Sequence, residues 1–294
     1  MKRLGYIALA LLAVSCGEET NYDAQGTFEA TEVVVSAEAS GRILNLDVEE
    51  GMPVEKGDIV GTIDTMQLHL QRKQLVAQRE ALLGSRPDIK KQAAGLREQI
   101  ATQRSELARV ENMLRDGAAT TKQRDDLTAS ITLLESQLDA TLSTLNNNTA
   151  TINSNAEALD AQIAALEDRI AKCHIVAPAS GTVLVKYAEE GEIAAMGKPL
   201  FKVANLDNIY LRAYFTSDQL ADIELGDEVT VTADYGDDER FDYKGRISWI
   251  SSESEFTPKT IQTKESRANL VYAVKIAVEN DGRLKIGMAG EVVL

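Results

Sequence analysis

Cysteine and histidine are the residue types in this chain best suited to chemistry, and the chain has only 2 of each. Cys173 and His174 are adjacent, so they could bind a metal ion or act as a nucleophile with its base. The alternative is a small residue where a helix gives way to a strand, and we adopt it. His69 is unrelated to that pair, and the chain has neither a phosphate-binding glycine loop nor a Ser/His/Asp set. We therefore expect no catalytic residue, no metal site and no cofactor.

Cys16 has a different chemistry because it follows an export signal. Two basic residues precede an apolar run of eleven residues, Leu4 to Val14, which is too short to span a bilayer. Small residues then precede Cys16, as at a lipoprotein cleavage site. We predict that residues 1–15 form a signal peptide and that Cys16 becomes the lipidated first residue of the mature chain. Ala13 stands where such sites usually have Leu, so an ordinary signal peptide with an incidental cysteine is the alternative.

Composition excludes several classes of protein. The chain has 294 residues, enough for two or three domains, and its 31 basic and 46 acidic residues give a net charge of −15. So acidic a chain is a poor nucleic-acid binder, because phosphate contacts need cations. Aromatic residues make up 5% of the chain, which fits long helices better than the core of a globular enzyme. After Cys16 only Cys173 remains, so the mature chain cannot form an intramolecular disulfide.

Two stretches that lie 140 residues apart share one pattern. SGRILNLDVEEG begins at Ser40 and SGTVLVKYAEEG begins at Ser180. Three glycines recur at the same offset, namely Gly41, Gly51 and Gly57 with Gly181, Gly191 and Gly197. Such glycines mark positive φ or close backbone approach, and the short β-branched runs between them predict strands. We predict that residues 32–65 and 173–204 are the two halves of one small β-sandwich.

Residues 66–172 separate the two copies and have the seven-residue period of a coiled coil. The two seven-residue columns are Leu68, Leu75, Leu82, Ile89, Leu96, Gln103 and Val110, then Ile131, Leu138, Leu145, Ile152, Leu159 and Leu166. In an antiparallel hairpin Leu68 would face Leu166, and the midpoint of this pairing is Gly117. We predict a helical hairpin with its tip at residues 115–119. Arms of about 50 residues would make it on the order of 70 Å long.

Two further details of the hairpin follow from the residue types. Thr120 and Gln123 have the spacing of a capping box at the start of the returning helix. Residues 84–88 and 146–149 interrupt the two arms at the same height. We expect a joint there that bends the hairpin without changing its register.

Residues 205–294 have the pattern of short strands and, with a linker and first strand from residues 16–31, predict a small closed β-barrel. Trp249 alternates with Ile247, so we place it in the barrel core rather than in a ligand site. Three local features are also predicted: a short capped helix at Ser217–Asp222, a long polar loop at Ser251–Arg267, and a hairpin turn at Asn280–Gly282 between the last two strands.

These features together resemble the HlyD-type periplasmic adaptors, also called membrane fusion proteins. The most specific stretches are APASGTVLVKYAEEGEIAAMGKPLFKVANLDNIYLRAYF, FTPKTIQTKESRANLVYAVKI and LKIGMAGEVVL. The resemblance implies a multidomain α+β fold: a lipoyl-like β-sandwich split by a long antiparallel coiled-coil hairpin and followed by a small β-barrel. It also implies a non-catalytic position between an inner-membrane pump and an outer-membrane channel, usually as a hexameric ring.

The resemblance implies a docking site at the hairpin tip. Family members that dock to a TolC-type channel carry Arg, then Leu four residues on, then Ser seven further. The matching positions here are Arg109, Met113 and Thr120, on either side of Gly117. The alternatives are a solvated helix face for Arg109, a tip contact for Met113 and a helix cap for Thr120. Leu114 offers another apolar residue, although its heptad position directs it into the seam.

The resemblance also implies partners and a location. FTPKTIQTKESRANLVYAVKI is similar to adaptors of ABC-type exporters, and the chain ends straight after the expected last barrel strand. We therefore expect no full membrane-proximal domain, and an ABC transporter rather than a drug–proton antiporter. The expected protein is periplasmic, lipid-anchored to the inner membrane, and forms a hexameric ring that meets a TolC-like channel.

Two alternatives stay open. A type I protein-secretion adaptor has the same architecture, although such adaptors usually have an N-terminal transmembrane helix. A biotin- or lipoate-carrying domain has a similar sandwich, but it presents a lysine on the turn between its halves. Residues 64–67 occupy that place here and contain no lysine.

Overall fold

The computed structural model describes residues 22–235, 240–256 and 270–294. They form a β-sandwich, a helical hairpin and a closed β-barrel, which confirms the predicted fold class. The predicted signal peptide, Cys16 and residues 257–267 of the predicted polar loop lie outside the described residues.

The elements follow one another along the chain with few long connections. In order they are β1 (Ala24–Glu29), β2 (Glu32–Ser36), β3 (Gly41–Leu46), β4 (Pro53–Val54), β5 (Ile59–Ile63), α1 (Met66–Gly84), α2 (Ile89–Arg115), α3 (Thr121–Ala171), β6 (His174–Val176), β7 (Gly181–Lys186), β8 (Ile193–Ala194), β9 (Pro199–Ala204), β10 (Asn208–Thr216), β11 (Glu228–Asp234), β12 (Arg240–Phe256), β13 (Leu270–Glu279) and β14 (Ala289–Val293).

The sandwich consists of two four-stranded sheets in which the repeated halves are interleaved. One sheet has the order β2-β9-β7-β4 and the other has the order β6-β5-β3-β8. Replacing each strand by its counterpart 140 residues away converts one order into the other. Each sheet therefore takes two strands from each half, and neither half contains a complete sheet.

Backbone hydrogen bonds at the repeated turns run from each half to the other. The Gly51 amide donates to the Val183 carbonyl over 2.8 Å, and the equivalent Gly191 amide donates to the Ile43 carbonyl over 2.9 Å. Both glycines have positive φ, 87° and 86°, a conformation that residues with a Cβ rarely adopt. Each half therefore binds its turn to a strand of the other half.

The repeated serines make the same exchange. The Ser180 hydroxyl oxygen accepts from the Lys56 amide over 2.9 Å, and the Ser40 hydroxyl oxygen accepts from the Met196 amide over 3.1 Å. Each serine thus binds the turn of the opposite half. This explains why both copies open on Ser-Gly.

The hairpin places its predicted seam between the arms. Every position of both seven-residue columns is buried or half-buried, which confirms the heptad assignment. A second column on each arm completes the seam, with Ala93 and Ile100 buried on α2 and Ala156 and Ile163 buried on α3. The side chains on the outer faces of the arms are mostly exposed.

Only the first arm of the hairpin is interrupted. Proline lacks an amide hydrogen and restricts the residue before it, so Pro87 separates α1 from α2, and the Asp88 side chain caps α2 at the Lys91 amide. The predicted break at residues 146–149 was wrong, because α3 runs through it. Asparagine lowers helix propensity but leaves the backbone bonds available, and the Thr149 hydroxyl donates to the Leu145 carbonyl over 2.9 Å.

Three ion pairs across the arms report their register. Arg72 pairs with Glu167, Arg79 with Asp160 and Arg104 with Glu135. Each acidic partner lies five residues nearer the base of the hairpin than pairing about Gly117 predicts. The offset is the same on both sides of the joint, so the arms keep one register across it. Helical side chains lean toward the N-terminus of their own helix. The arginines on the first arm therefore lean toward the base of the hairpin, and the carboxylates on α3 lean toward the tip. This opposite lean accounts for part of the five-residue offset.

The barrel closes in the order β1-β10-β13-β12-β11-β14, with β14 returning to β1. All neighbouring strands are antiparallel. The core is aliphatic and aromatic, and its largest fully buried side chains include Phe28, Leu211, Phe215 and Ile276. β1 belongs to this barrel although it precedes the sandwich, so the chain enters and leaves the sandwich through the barrel.

The predicted place of Trp249 in the barrel core was wrong. Ile247 is opposite Ile276 and is buried, but the pairing shifts after it, so that Trp249 is opposite Lys275. A bulge of this kind inverts the inward–outward alternation of a strand. Trp249 is consequently 40% exposed on the outer surface of the barrel.

Three smaller predictions for the barrel also change. The Asn280–Gly282 segment is no hairpin turn, because β13 pairs with β10 and β12 while β14 pairs with β1 and β11. The predicted capped helix is a 3-10 helix, Gln219–Asp222, with no side-chain cap from Asp218. The first part of the predicted polar loop is the end of β12.

We expect a Gly181→Ala substitution to weaken the sandwich. A Cβ at Gly181 would lie 2.3 Å from the Ala204 carbonyl oxygen, so β7 and β9 would have to separate, and the expected loss is about 1–3 kcal/mol of unfolding free energy. Cys173 is 1% exposed in the sandwich core. Its rate of modification by a thiol reagent, in a Cys16→Ser background, measures opening of the sandwich alone.

The matched control is Gly95→Ala on α2. A Cβ there meets nothing within 4 Å, and alanine favours helix over glycine by about 1 kcal/mol. This variant should raise the melting temperature of the hairpin and leave Cys173 as protected as before. Equal Cys173 reactivity in the Gly181→Ala variant and the wild type would contradict the close-approach argument.

Candidate docking surfaces

The tip of the hairpin is a tightly bonded turn. Gly117 has φ of +73°, its amide donates to the Leu114 carbonyl over 3.1 Å, and the Ala118 amide donates to the Met113 carbonyl over 2.8 Å. These two bonds are those of a Schellman motif, which satisfies the last carbonyls of α2. The turn therefore holds the ends of α2 and α3 in a fixed geometry, as the midpoint glycine predicts.

Thr120 caps the returning helix. Its hydroxyl oxygen accepts from the Gln123 amide over 3.3 Å, while its own amide donates to the Gln123 side-chain oxygen over 2.9 Å. This is the predicted capping box. The hydroxyl of Thr120 is thereby engaged within the tip, which favours the cap over a direct role in docking.

Arg109 is exposed but is already bound on its own helix. Its guanidinium donates two hydrogen bonds to the Glu106 carboxylate, of 2.6 and 2.5 Å. The hydrogen bond and charge of Glu106 raise the pKa of Arg109 above its ordinary value. An anionic partner would have to compete with Glu106 for this cation.

Met113 is the predicted tip residue with a large, exposed apolar side chain. It is 42% exposed, whereas Val110 is 8% exposed and Leu114 is half-buried on the seam side. The flexible thioether of methionine adapts to varied apolar surfaces. The tip thus presents one apolar side chain, with Arg109 one helical turn below it.

The Cys173–His174 pair has no catalytic geometry. Cys173 lies in the sandwich core, and its thiol donates to the Arg169 carbonyl over 3.3 Å. Burial raises the pKa of this thiol, so the nucleophilic thiolate is disfavoured. His174 is exposed, and residues 22–235, 240–256 and 270–294 contain no group of three or more potential metal ligands. The interpretation of Cys173 as a small structural residue fits this placement.

A second surface lies on the outside of the barrel and was not found from the sequence. We call Tyr210, Arg212, Tyr214, Trp249 and Lys275 the Trp249 face. The Lys275 ammonium is 4.4 Å from the centre of the Tyr210 ring and 5.7 Å from that of Trp249. Arg212 is 5.9 Å from the centre of the Tyr214 ring. Aromatic and arginine side chains of this kind are enriched at protein interfaces.

Only the β-bulge assembles the Trp249 face. Without the shift after Ile247, Trp249 would point into the barrel and Lys275 would have one aromatic neighbour. The alternation of residues in β12 carries no sign of the bulge, so sequence patterning could not have located this face. The sequence offered one indication of this face: three aromatic residues of the barrel strands, Tyr210, Tyr214 and Trp249, in a chain with only 5% aromatic residues.

No helix among the described ranges is long and apolar enough to cross a membrane.

Comparison with known proteins agrees with this architecture. A family model described as the barrel-sandwich hybrid domain of RND MFP proteins matches residues 31–205. A UPF0194 membrane protein of Yersinia pseudotuberculosis is 36% identical over 115 residues, which are 39% of this chain and 34% of that protein. A second, from Acidithiobacillus ferridurans, is 37% identical over 116 residues, 39% and 33% of the two chains. This chain spans about a third of the length of these curated relatives.

Two solved structures share the fold. MacA from Actinobacillus actinomycetemcomitans has a TM-score of 0.56 at 22% identity and covers 92% of this chain and 76% of its own. The membrane fusion protein Spr0693 from Streptococcus pneumoniae R6 has a TM-score of 0.50 at 18% identity and covers 92% and 96%. The family match extends over more than half of the chain, from β2 through the hairpin to the end of the sandwich. The chain therefore belongs to the membrane fusion protein family, whose barrel-sandwich hybrid domain carries the helical hairpin.

Proposed function

We propose that this protein is a non-catalytic periplasmic adaptor that couples an inner-membrane transporter to an outer-membrane channel for export. The observation that carries the proposal is the length of the hairpin: the 51 residues of α3 extend roughly 75 Å. The arms join the sandwich at β5 and β6, so a movement of the sandwich would reach the tip along α3, which is one continuous helix. An element that is long, narrow and anchored at one end is suited to spanning distance.

The two ends of this spacer have different proposed partners. At the tip, Met113 would pack against the end of a TolC-like channel while Arg109 exchanges Glu106 for a carboxylate of the channel. At the other end, the Trp249 face of the barrel would contact the periplasmic side of the transporter. Its stacked cations and aromatic rings are the composition expected of residues that dominate binding energy.

We propose an ABC-type transporter as the inner-membrane partner. The support is the stretch FTPKTIQTKESRANLVYAVKI, which is similar to adaptors of ABC-type exporters. The matching family model is described for the RND class of transporter, which is the competing class of partner. A type I system that secretes a protein or peptide would use the same spacer, and the nature of the exported substrate distinguishes it.

Cys16 would hold the protein on the periplasmic face of the inner membrane through its lipid. The several acyl chains of a bacterial lipoprotein anchor stably, whereas one chain anchors weakly. Six copies side by side would enclose a conduit with the hairpins as its wall. The mature chain would have a net charge of −17, because removal of residues 1–15 takes two cations from the 31 and leaves 29 against 46 carboxylates.

Shortening the hairpin by one heptad in each arm should abolish export while the protein stays folded. Deleting residues 97–103 and 135–141 together preserves the phase of both seam columns and removes about 10 Å of length. The measurement is resistance of a strain that lacks the chromosomal copy to any compound for which that strain is hypersensitive. Circular dichroism of the purified variant verifies the fold.

The control for this deletion restores length without restoring sequence. Replacing the same two heptads by unrelated heptads with Leu and Ile at the seam positions should return export to the wild-type level. Full export by the shortened protein would show that the hairpin does not act as a spacer of defined length.

A charge at Met113 should disrupt docking at the tip. Met113→Glu places a carboxylate where we propose an apolar contact, and loss of a binding hot spot of about 1.4 kcal/mol lowers affinity about tenfold. The measurement is export by the same strain, with photo-crosslinking from position 113 to an outer-membrane protein. Met196→Glu is the matched control, since Met196 is 74% exposed on a turn of the sandwich, away from the hairpin. Equal loss of export in both variants would argue against a tip-specific contact.

Cys16→Ser should release the protein from the membrane. A serine cannot carry the thioether-linked lipid, so the variant should move from the inner-membrane fraction to the soluble periplasm and lose incorporation of labelled palmitate. Ser15→Ala leaves the proposed lipidated residue intact and should change neither measurement. Unaltered membrane retention and labelling of the Cys16→Ser protein would exclude this anchor.

A further inference from the structure

The two arms of the hairpin have opposite net charge. Arm 1, residues 66–115, has ten Lys and Arg against five Asp and Glu, which is a net charge of +5. Arm 2, residues 121–171, has three Lys and Arg against eight Asp and Glu, which is −5. The positive arm is notable because the whole chain has a net charge of −15. Folding of one hairpin does not require so complete a separation of charge.

Contacts within one copy use only part of this complementarity. All three ion pairs between the arms place the arginine on arm 1 and the carboxylate on arm 2, but they involve three of the ten basic residues of arm 1. Other charged residues are exposed and take part in no ion pair within the described ranges. They include Lys73, Arg86 and Lys90 on arm 1 and Asp126, Asp139 and Glu157 on arm 2.

The outward face of α3 permits close approach by another helix. Near the tip the hydroxyls of Thr128, Thr132 and Ser136 donate to carbonyls one turn earlier on α3, over 2.8, 2.9 and 3.0 Å. These hydroxyls need no water for their hydrogen bonds, so covering them leaves no donor unsatisfied. Side chains this small allow a neighbouring helix to approach, and the charges then decide which helix it is.

Charge selects among the ways in which two copies could join. Contact of arm 1 with arm 1, or of arm 2 with arm 2, brings like charges together and is unfavourable. Contact of arm 1 of one copy with arm 2 of another is favourable. When this contact is made at the outer edges of the two hairpins, each copy still has one arm free to bind a further copy. Such a heterologous contact continues from copy to copy until a ring closes.

We propose that arm 1 of one copy docks along arm 2 of the next copy, so that opposite charge on the two arms sets the direction in which copies join. The proposed occupant of the outer face of arm 2 is therefore a second copy of this chain. This inference rests on the ring of the proposed function and specifies its interface. Exposed ion pairs contribute little affinity individually, so the charges act chiefly on orientation and on the rate of association.

The experiment uses charge reversal on the full-length chain in detergent, with particle masses measured by mass photometry. Variant A carries Lys73→Glu, Arg86→Glu and Lys90→Glu, which makes both arms negative. Variant B carries Asp126→Lys, Asp139→Lys and Glu157→Lys, which makes both arms positive. Each variant alone should raise the apparent dissociation constant of assembly at least about tenfold. An equal mixture should assemble again, with A and B alternating.

Two controls separate arm charge from local damage. The pair Lys73→Glu and Glu80→Lys exchanges charges within arm 1, leaves its net charge unchanged, and should assemble as the wild type does. Raising the salt from about 50 mM to about 500 mM should weaken assembly of the wild type and of the mixture. Circular dichroism verifies that each variant retains its helix.

The outcomes distinguish this inference from the proposed function. Wild-type assembly of variants A and B alone would overturn the charge proposal and leave the adaptor function standing. Assemblies limited to two copies would indicate a face-to-face dimer and would overturn the edge-to-edge contact. A wild-type chain that stays monomeric at every concentration would remove the ring itself, and the proposed interface with it.

Discussion

Hydrogen bonds exchanged between the two repeats are the constraint on which the rest of the structure depends. The Gly51 and Gly191 amides each bind a carbonyl of the opposite half, and Ser40 and Ser180 each bind a turn of the opposite half. Each sheet also takes two strands from each half, so neither half alone can complete a sheet or bury its apolar face. The sandwich therefore closes only after the chain has travelled out along one arm of the hairpin and back along the other.

That closure determines how the hairpin behaves mechanically. β5 leads into α1 and α3 leads into β6, and these two strands are neighbours in one sheet. The base of the hairpin is thus fixed at both ends by the same sheet. The Schellman turn and the capping box fix the tip in the same way. The joint between α1 and α2 interrupts only the first arm, and the continuous α3 beside it limits bending there.

Long-range periodicity was predictable from the sequence, whereas local deviations from it were not. The 140-residue repeat predicts one sandwich made of two related halves, although not the interleaving of their strands, and the heptads predict the seam. The break at residues 146–149 was wrong because asparagines lower helix propensity without removing any backbone bond. Trp249 was misplaced because one bulge inverts the alternation after Ile247. At the tip, the sequence locates Arg109 and Met113 but does not reveal that Glu106 already holds the arginine.

The thinness of the hairpin decides what kind of recognition it can perform. Its buried side chains are Ala93, Ile100, Val110, Ile131, Leu145, Ala156, Ile163 and Leu166, and α1 contributes none. Two helices with so small a core leave little room for an enclosed binding site, so we expect recognition at the tip and along the edges. A core of this size also gives the isolated hairpin little stability. Lateral packing of neighbouring copies would bury more of each arm and stiffen the spacer at the same time, so assembly and mechanical coupling would depend on the same surface.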